Sequence, residues 1–270
     1  MKIACYSLVL GRGYTVPAAI ELLARLGYDG VEWRVRNDFH LPLNGLAEKA
    51  EEIKTLCQQA GLAIPILSTY LPLQEVSAIA TVLSSAAAIG CPMVRVAAPA
   101  YDGTVAYPEL LAQACGQLAQ LEPLCRQTGV KVTVAMHMNN IAPSASAALR
   151  LVEGFDPACI GVVLDPGNMA CEGRENWLMG LQILGPYLAH VHVKNGGWFY
   201  SDEEGWRFGW LPLTEGLVNW GEVLALLTRV GYGGWLSVED FADELPVEER
   251  LGQDIALLRQ YLAEAGPSGA

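Results

Sequence analysis

Histidine is scarce in this chain, with four in 270 residues, and basic charge is scarce too, with 17 Lys and Arg against 29 Asp and Glu. The net charge of −12 and a pI near 4.8 repel phosphate backbones, which argues against nucleic acid as a partner. No CxxC pair occurs, and the seven cysteines are an odd number. Cys57, Cys91, Cys115, Cys125 and Cys159 lie among apolar or helix-like neighbours, so buried free thiols in a reducing cytoplasm are expected, not a disulfide framework. No apolar run approaches the length that crosses a bilayer, which argues against a membrane protein. The first apolar run is not followed by GxGxxG, which disfavours a dinucleotide-binding fold. The opening MKIACYSLVLGRG is basic then apolar, but its apolar part is short and no cleavage pattern follows. It reads as a first strand, not as a signal peptide. Linkers and low-complexity stretches are missing as well, so a single domain over 1–264 is expected, with a disordered tail over 265–270.

What is present is alternation. Short apolar runs at 3–8, 31–35, 63–68, 93–97, 130–137, 160–165, 189–194 and 235–239 read as strands. Stretches of helical period near 17–26, 45–60, 75–89, 108–128, 143–153, 175–184, 219–230 and 247–264 follow them in turn. Strict βα alternation implies parallel strands with right-handed crossovers, and eight units at this length predict an α/β fold, a (β/α)8 TIM barrel. Gly27, Gly61, Gly90, Gly129 and Gly231 stand where helices should end. Gly27-Tyr-Asp-Gly30 is echoed as Gly231-Tyr-Gly-Gly234, as a repeated architecture would have it.

Side chains alternate across a strand, which sorts polar residues by the way they point. Val132, Val134 and Met136 should pack on helices, leaving Thr133, Ala135 and His137 inside; Val191 and Val193 leave His190, His192 and Lys194 inside. By the same parity Asp165, Ser237, Glu239, Glu32, Arg34, Arg36 and Arg95 face the axis. Barrel sites are built where strands end, and Asp165, His192 and Glu239 end three adjacent strands there. One imidazole and two carboxylates suit a divalent metal such as Mn²⁺, Co²⁺, Zn²⁺ or Mg²⁺. An ion held weakly or not at all is the alternative, with the same groups serving as structural ion pairs.

Four stretches carry a resemblance: Gly27-Tyr-Asp-Gly-Val-Glu32, Gly161-Val-Val-Leu-Asp-Pro-Gly-Asn168, His190-Val-His-Val-Lys-Asn195 and Gly234-Trp-Leu-Ser-Val-Glu239. In order and at barrel spacing, they resemble motifs of the xylose-isomerase-like TIM barrels. That group includes the tagatose/psicose 3-epimerases and the endonuclease IV nucleases. The resemblance implies sugar phosphate isomerase or epimerase chemistry on a small sugar, sugar phosphate or hydroxy-keto acid through an enediolate. It makes Asp165, His192 and Glu239 three of four metal ligands. The fourth is normally a glutamate late in the fifth strand, two residues before a histidine, and Ala135 stands there. That glutamate is also one of two opposed acid/base groups in the epimerases, so two-base epimerisation of the usual form is not expected. The nuclease branch needs more histidines than four and a basic groove.

The expected roles follow. Glu239 is the base, His137 a substitute ligand or acid, and Lys194 a cation beside the enediolate. Arg34 and Arg95 can clamp a carboxylate or phosphate, the alternative being an internal Glu32–Arg34 pair. His190 is a further substrate contact, or else a core histidine. Trp198, Phe199, Tyr200, Trp206, Phe208 and Trp210 crowd the segment after the seventh strand. They suit a lid stacking on a carbohydrate-like substrate, with Trp198 touching it, or a subunit interface in a homo-oligomer. Two other readings stay open: a degenerate barrel that binds a sugar or sugar acid without turnover, and a metal-assisted dehydratase or lyase.

Overall fold

The computed structural model describes residues 1–266; the tail expected to be disordered lies outside them from 267 on. In chain order the strands are β1 (Lys2–Tyr6), β2 (Gly30–Arg34), β3 (Leu67–Pro72), β4 (Met93–Ala97), β5 (Lys131–Ala135), β6 (Ile160–Leu164), β7 (Leu188–Val193), β8 (Asn195–Ser201), β9 (Gly205–Leu211) and β10 (Trp235–Val238). Eight of these pair in parallel as a closed barrel, β1-β10-β7-β6-β5-β4-β3-β2, and β8 with β9 forms a separate antiparallel hairpin. The helices are α1 (Val16–Leu26), α2 (Leu46–Gln59), α3 (Val76–Ile89), α4 (Tyr107–Thr128), α5 (Ala145–Val152), α6 (Pro166–Cys171), α7 (Trp177–Leu184), α8 (Trp220–Arg229) and α9 (Val247–Glu264). The fold is therefore the TIM barrel that the alternation predicts. Among the described residues no helix is long and apolar enough to cross a membrane.

Local signals explain the elements. At the start of α1, Thr15 caps by accepting a hydrogen bond from the Ala18 amide, and Pro17 sits in the first turn. Gly27 ends it at φ 87°, and its amide reaches back to the carbonyl of Ala24. The face formed by Ala19, Ile20, Leu22 and Leu23 is buried. Each large aliphatic side chain so buried contributes roughly 1.5–3 kcal/mol. In β5, Val132 and Val134 pack with the helices in the main core, as does Met136 just beyond it. Ala135 turns inward to a small apolar cluster with Ile66, Met93 and Val163.

Four expectations need correction. The third strand runs over Leu67–Pro72 and not 63–68, because its ladder with β2 starts only at Trp33↔Leu67. The first strand stops at Tyr6, where Ser7–Gly13 turns into 3₁₀ geometry. The aromatic segment is an ordered hairpin, Asn195↔Leu211 through Ser201↔Gly205, and not a loop. Arg36 lies past the end of β2, exposed and paired with Asp38 at 2.6 Å, so it does not face the axis.

Candidate functional site

The strand ends bring Asp165, His192, Lys194 and Glu239 together. Register sets His192 beside Ser237, and Val193 beside Val238, so Lys194 and Glu239 leave adjacent strands at the same level. Asp165 follows β6 as the N-cap of α6, its Oδ1 accepting from the Asn168 amide at 2.9 Å. Asn168 Nδ2 then donates to Asp165 Oδ2 at 2.7 Å and to the Met136 carbonyl at 3.0 Å, which ties the carboxylate to the end of β5. Gly167 is what the close approach requires. A Cβ there would lie 2.5 Å from Lys194 Cγ and 3.0 Å from the Lys194 carbonyl oxygen.

His192 Nδ1 points at the two carboxylates, 3.3 Å from Glu239 and 3.7 Å from Asp165, with no well-formed hydrogen bond. Lys194 Nζ lies between the same acids, 2.9 Å from Asp165 and 2.5 Å from Glu239. All four are almost fully buried. Burial alone would raise the carboxyl pKa values. Lys194 chiefly, with His192, outweighs it and holds Glu239 well below the carboxylate range, and Asp165 is lowered for the same reason. Burial would likewise discharge Lys194 and His192, but Asp165 and Glu239 raise the lysine, and Glu32 with Glu239 raises the histidine.

One layer deeper, Glu32 accepts from His190 Nε2 at 3.0 Å and from His192 Nε2 at 3.0 Å, and also from Ser68 Oγ. A carboxylate can only accept, so the proton sits on each Nε2 and Nδ1 of His192 is the nitrogen left for the mouth. Burial pushes Glu32 up, but His192 and His190 outweigh it and hold it ionised. Glu32 is thus the support of His192, and the expected Glu32–Arg34 pair does not form. Arg34 Nη1 instead donates to Tyr6 Oη at 3.0 Å, and the Tyr6 ring stacks on His192 at 5.8 Å.

The other expected residues fall into four places. Arg34 and Arg95 flank Tyr70, their Cζ atoms 4.2 and 4.5 Å from its ring centroid. His190 is sealed beneath His192, its Nε2 2.9 Å from Ser237 Oγ, and is engaged in the core layer and not at the mouth. Trp198 is 44% exposed on the hairpin and meets Phe208 at 5.5 Å. Phe208 in turn meets Trp210, whose ring lies 4.9 Å from Lys194 Nζ. Trp210 is therefore the aromatic over the site, and Trp198 is two rings away. His137 is half-buried beyond β5 with Nδ1 donating to the Met138 carbonyl at 2.7 Å. It is not among the groups that gather, which ends its expected role as substitute ligand.

Asp165, His192 and Glu239 each offer a donor atom within 4.8 Å of the other two, a set of hard and borderline donors that fits a divalent ion. Glu32, His190 and His192 meet the same distance test, but their facing atoms are already spent on one another. Tyr6, Tyr70 and Asn168 are the site residues that pattern reading did not assign; Glu32 was read as facing the axis but not as the partner of His190 and His192. Only the Asp-Pro-Gly-Asn run, a helix start with an amide three residues after its cap, offered a signal.

The comparisons agree with this fold. The family described as xylose isomerase-like TIM barrel matches residues 20–261, and the chain belongs to it. Among curated relatives, the uncharacterized protein MJ1311 of Methanocaldococcus jannaschii is 27% identical over 165 residues, 58% of this chain and 53% of that protein. An inosose dehydratase of Lacticaseibacillus casei is 22% identical over 158 residues, 54% of this chain and 51% of its own. The chain thus spans about half the length of the curated relatives it matches. Among solved structures, a D-tagatose 3-epimerase-like protein superposes with a TM-score of 0.79 at 19% identity, covering 98% of both chains. The IOLI protein with a bound zinc atom superposes at 0.78 and 17% identity, covering 98% of this chain and 99% of that one. At these identities the likeness shows the fold.

Proposed function

We propose that the protein is a metal-dependent enzyme acting on a small carbohydrate, taking a proton from the carbon beside a carbonyl on one face only. The observation that carries this reading is the meeting of Asp165, Glu239 and the Nδ1 of His192 at the strand ends. A divalent ion held by these three would polarise the carbonyl and offset the charge of an enediolate. Glu239 accepts the proton. Glu239 then delivers that proton to the neighbouring carbon, while Lys194, 2.5 Å from it, gives a proton to the carbonyl oxygen and takes one back from the neighbouring hydroxyl on the same side. Glu32 keeps His192 oriented, and Trp210 keeps water from the reacting carbon. Arg34 and Arg95 hold the rest of the substrate, with Trp198 stiffening Trp210 through Phe208. With an alanine at 135, no second carboxylate serves the opposite face, so isomerisation is favoured over inversion of a centre. A second reading, loss of water, draws on the same pair, since adjacent acid and base can remove a proton and a hydroxyl from one face. The similarity to inosose dehydratases supports it. Cytoplasmic residence and self-association of the aromatic hairpin go with this reading, the former supported by seven free thiols.

The test is elemental analysis of the purified protein, wild type against Asp165→Ala and His192→Ala, with small hydroxy-ketones incubated in D₂O alongside. The expected result is about one divalent ion per chain, lost in both variants, and deuterium entering beside the carbonyl only in the loaded wild type. A metal-loaded protein that exchanges no deuterium with any hydroxy-ketone would leave sugar binding without turnover as its role.

A further inference from the structure

Inside the mouth, every strong charge meets its opposite except two. Glu32 answers the histidines, and Asp165 and Glu239 answer Lys194 and His192. Among the described residues, no carboxylate lies within 4.0 Å of the guanidinium of Arg34 or of Arg95. Arg95 is 2% exposed, and its Nε and Nη1 have no hydrogen-bond partner; Arg34 Nε has none either. What both have is the ring of Tyr70, itself 41% exposed at the rim. A ring face offers a quadrupole and no lone pairs, so it steadies the charge while leaving Nε and Nη1 of Arg95 and Nε of Arg34 unanswered. A buried cation without an anion is costly to fold around, and such strain concentrates where a ligand supplies the missing group.

We propose that the ligand of this site carries a carboxylate, seated on Arg95 with Arg34 beside it, at the faces Tyr70 now covers. This rests on the reading of the site as a proton-transfer centre and narrows its substrate to a hydroxy or keto acid. The distance suits a short ligand. Arg95 Cζ is 5.9 Å from the Tyr6 ring centroid, and Tyr6 stacks directly on His192. The Tyr6 ring therefore stands between the anion seat and His192, one of the three donors at the strand ends. A carboxylate fits better than a phosphate because the segment that follows Arg95 out of β4 brings no helix start close to it. The chain leaves β4 through Ala98 and Pro99, the latter without an N–H, and α4 begins only at Tyr107. Tyr70 fits the part of a placeholder. Burial would raise its phenol, but Arg95 outweighs that and draws it down toward the anion.

The experiment uses the full chain, with and without added Mn²⁺, and three probes: D-glycerate, glycerol and glycerol 3-phosphate. Binding is followed by calorimetry and tryptophan fluorescence, and stability by thermal unfolding. D-glycerate should bind at least about tenfold tighter than glycerol, less so at high salt, as expected for charge-assisted bonds. Arg95→Met should lose that preference while the ligand-free protein melts no lower than wild type, because an orphan charge has been removed. Arg95→Lys should recover part of the binding. Equal affinity for glycerol and glycerate, or glycerate binding unchanged in Arg95→Met, would overturn the proposal; tighter glycerol 3-phosphate would overturn the carboxylate. Should Arg95→Met not fold, Tyr70→Ala decides, since uncovering the seat should tighten glycerate and leave glycerol unchanged. These readouts need no turnover. A chain that binds glycerate through Arg95 but exchanges no deuterium sinks the proposed reaction alone.

Discussion

At position 135 the barrel carries a methyl group, 4% exposed, among Ile66, Met93 and Val163. Those three apolar side chains offer no donor for an oxygen, so an acid placed among them calls for a cation. Ala135→Glu should destabilise the ion-free protein by roughly 3 kcal/mol or more, as an unpaired buried charge does. Added Mn²⁺ or Zn²⁺ should restore stability by binding the folded state alone, and more than it stabilises the wild type. Thermal unfolding with and without ion checks both; a variant indifferent to ion would place residue 135 away from the cluster. Individual residues were legible where parity suffices, which is why Asp165, His192 and Glu239 stand together as read. Partnerships were less so. Glu32 and Arg34 share a face two residues apart, yet the acid reaches the histidines of β7, which chain distance does not reveal.

Among the elements, α9 closes the barrel with a paired acid. Asp254, 4% exposed on α9, faces Asp240 just after β10, and Arg250 Nε stands off at 3.7 Å from Asp240. Burial first, then the Asp240 charge, pushes Asp254 up to about 9. The folded state binds this proton more tightly than the unfolded chain. Its contribution is therefore whole below the ordinary carboxylate range and drains away as pH climbs toward 9. Asp254→Asn should match wild type near pH 4 and exceed it by about 2 kcal/mol at pH 8. Urea unfolding at the two pH values is the measurement, and an equal loss on raising pH would acquit Asp254. Element types were readable from period and glycine stops, but boundaries slipped where burial and pairing part company. Residues 63–66 are an apolar approach to β3, which pairs at Leu67 and Ser68 and again, after a shift of register, at Pro72. The hairpin escaped notice because Trp198, Phe199, Tyr200 and Trp206 are all exposed and show no one-sided alternation.

For the whole molecule, that hairpin gathers the exposed Trp198, Phe199, Tyr200 and Trp206 on a protein of net charge −12. Exposed aromatics grouped this way mark contact surfaces, and charge elsewhere discourages other contacts. The full chain should self-associate with concentration in sedimentation, and Trp206→Ser with Phe199→Ser should return it to a monomer without loss of glycerate binding. A wild type that stays monomeric at high concentration would reject the hairpin as an interface. The barrel itself was the most legible level, because eight repeats of one pattern leave little else to build. The hairpin root has a kinetic consequence. Asn195 is bonded to the Leu213 and Val218 carbonyls and to the Gly196 and Val218 amides, and Gly216 at φ 106° leaves no room for a Cβ against it. The backbone beside Lys194 is thereby pinned, so freeing Asp165 and Glu239 falls to rotation of the lysine stem. Admission of a ligand should then run at the pace of a side-chain rotation, ahead of the microsecond-to-millisecond closure of a lid.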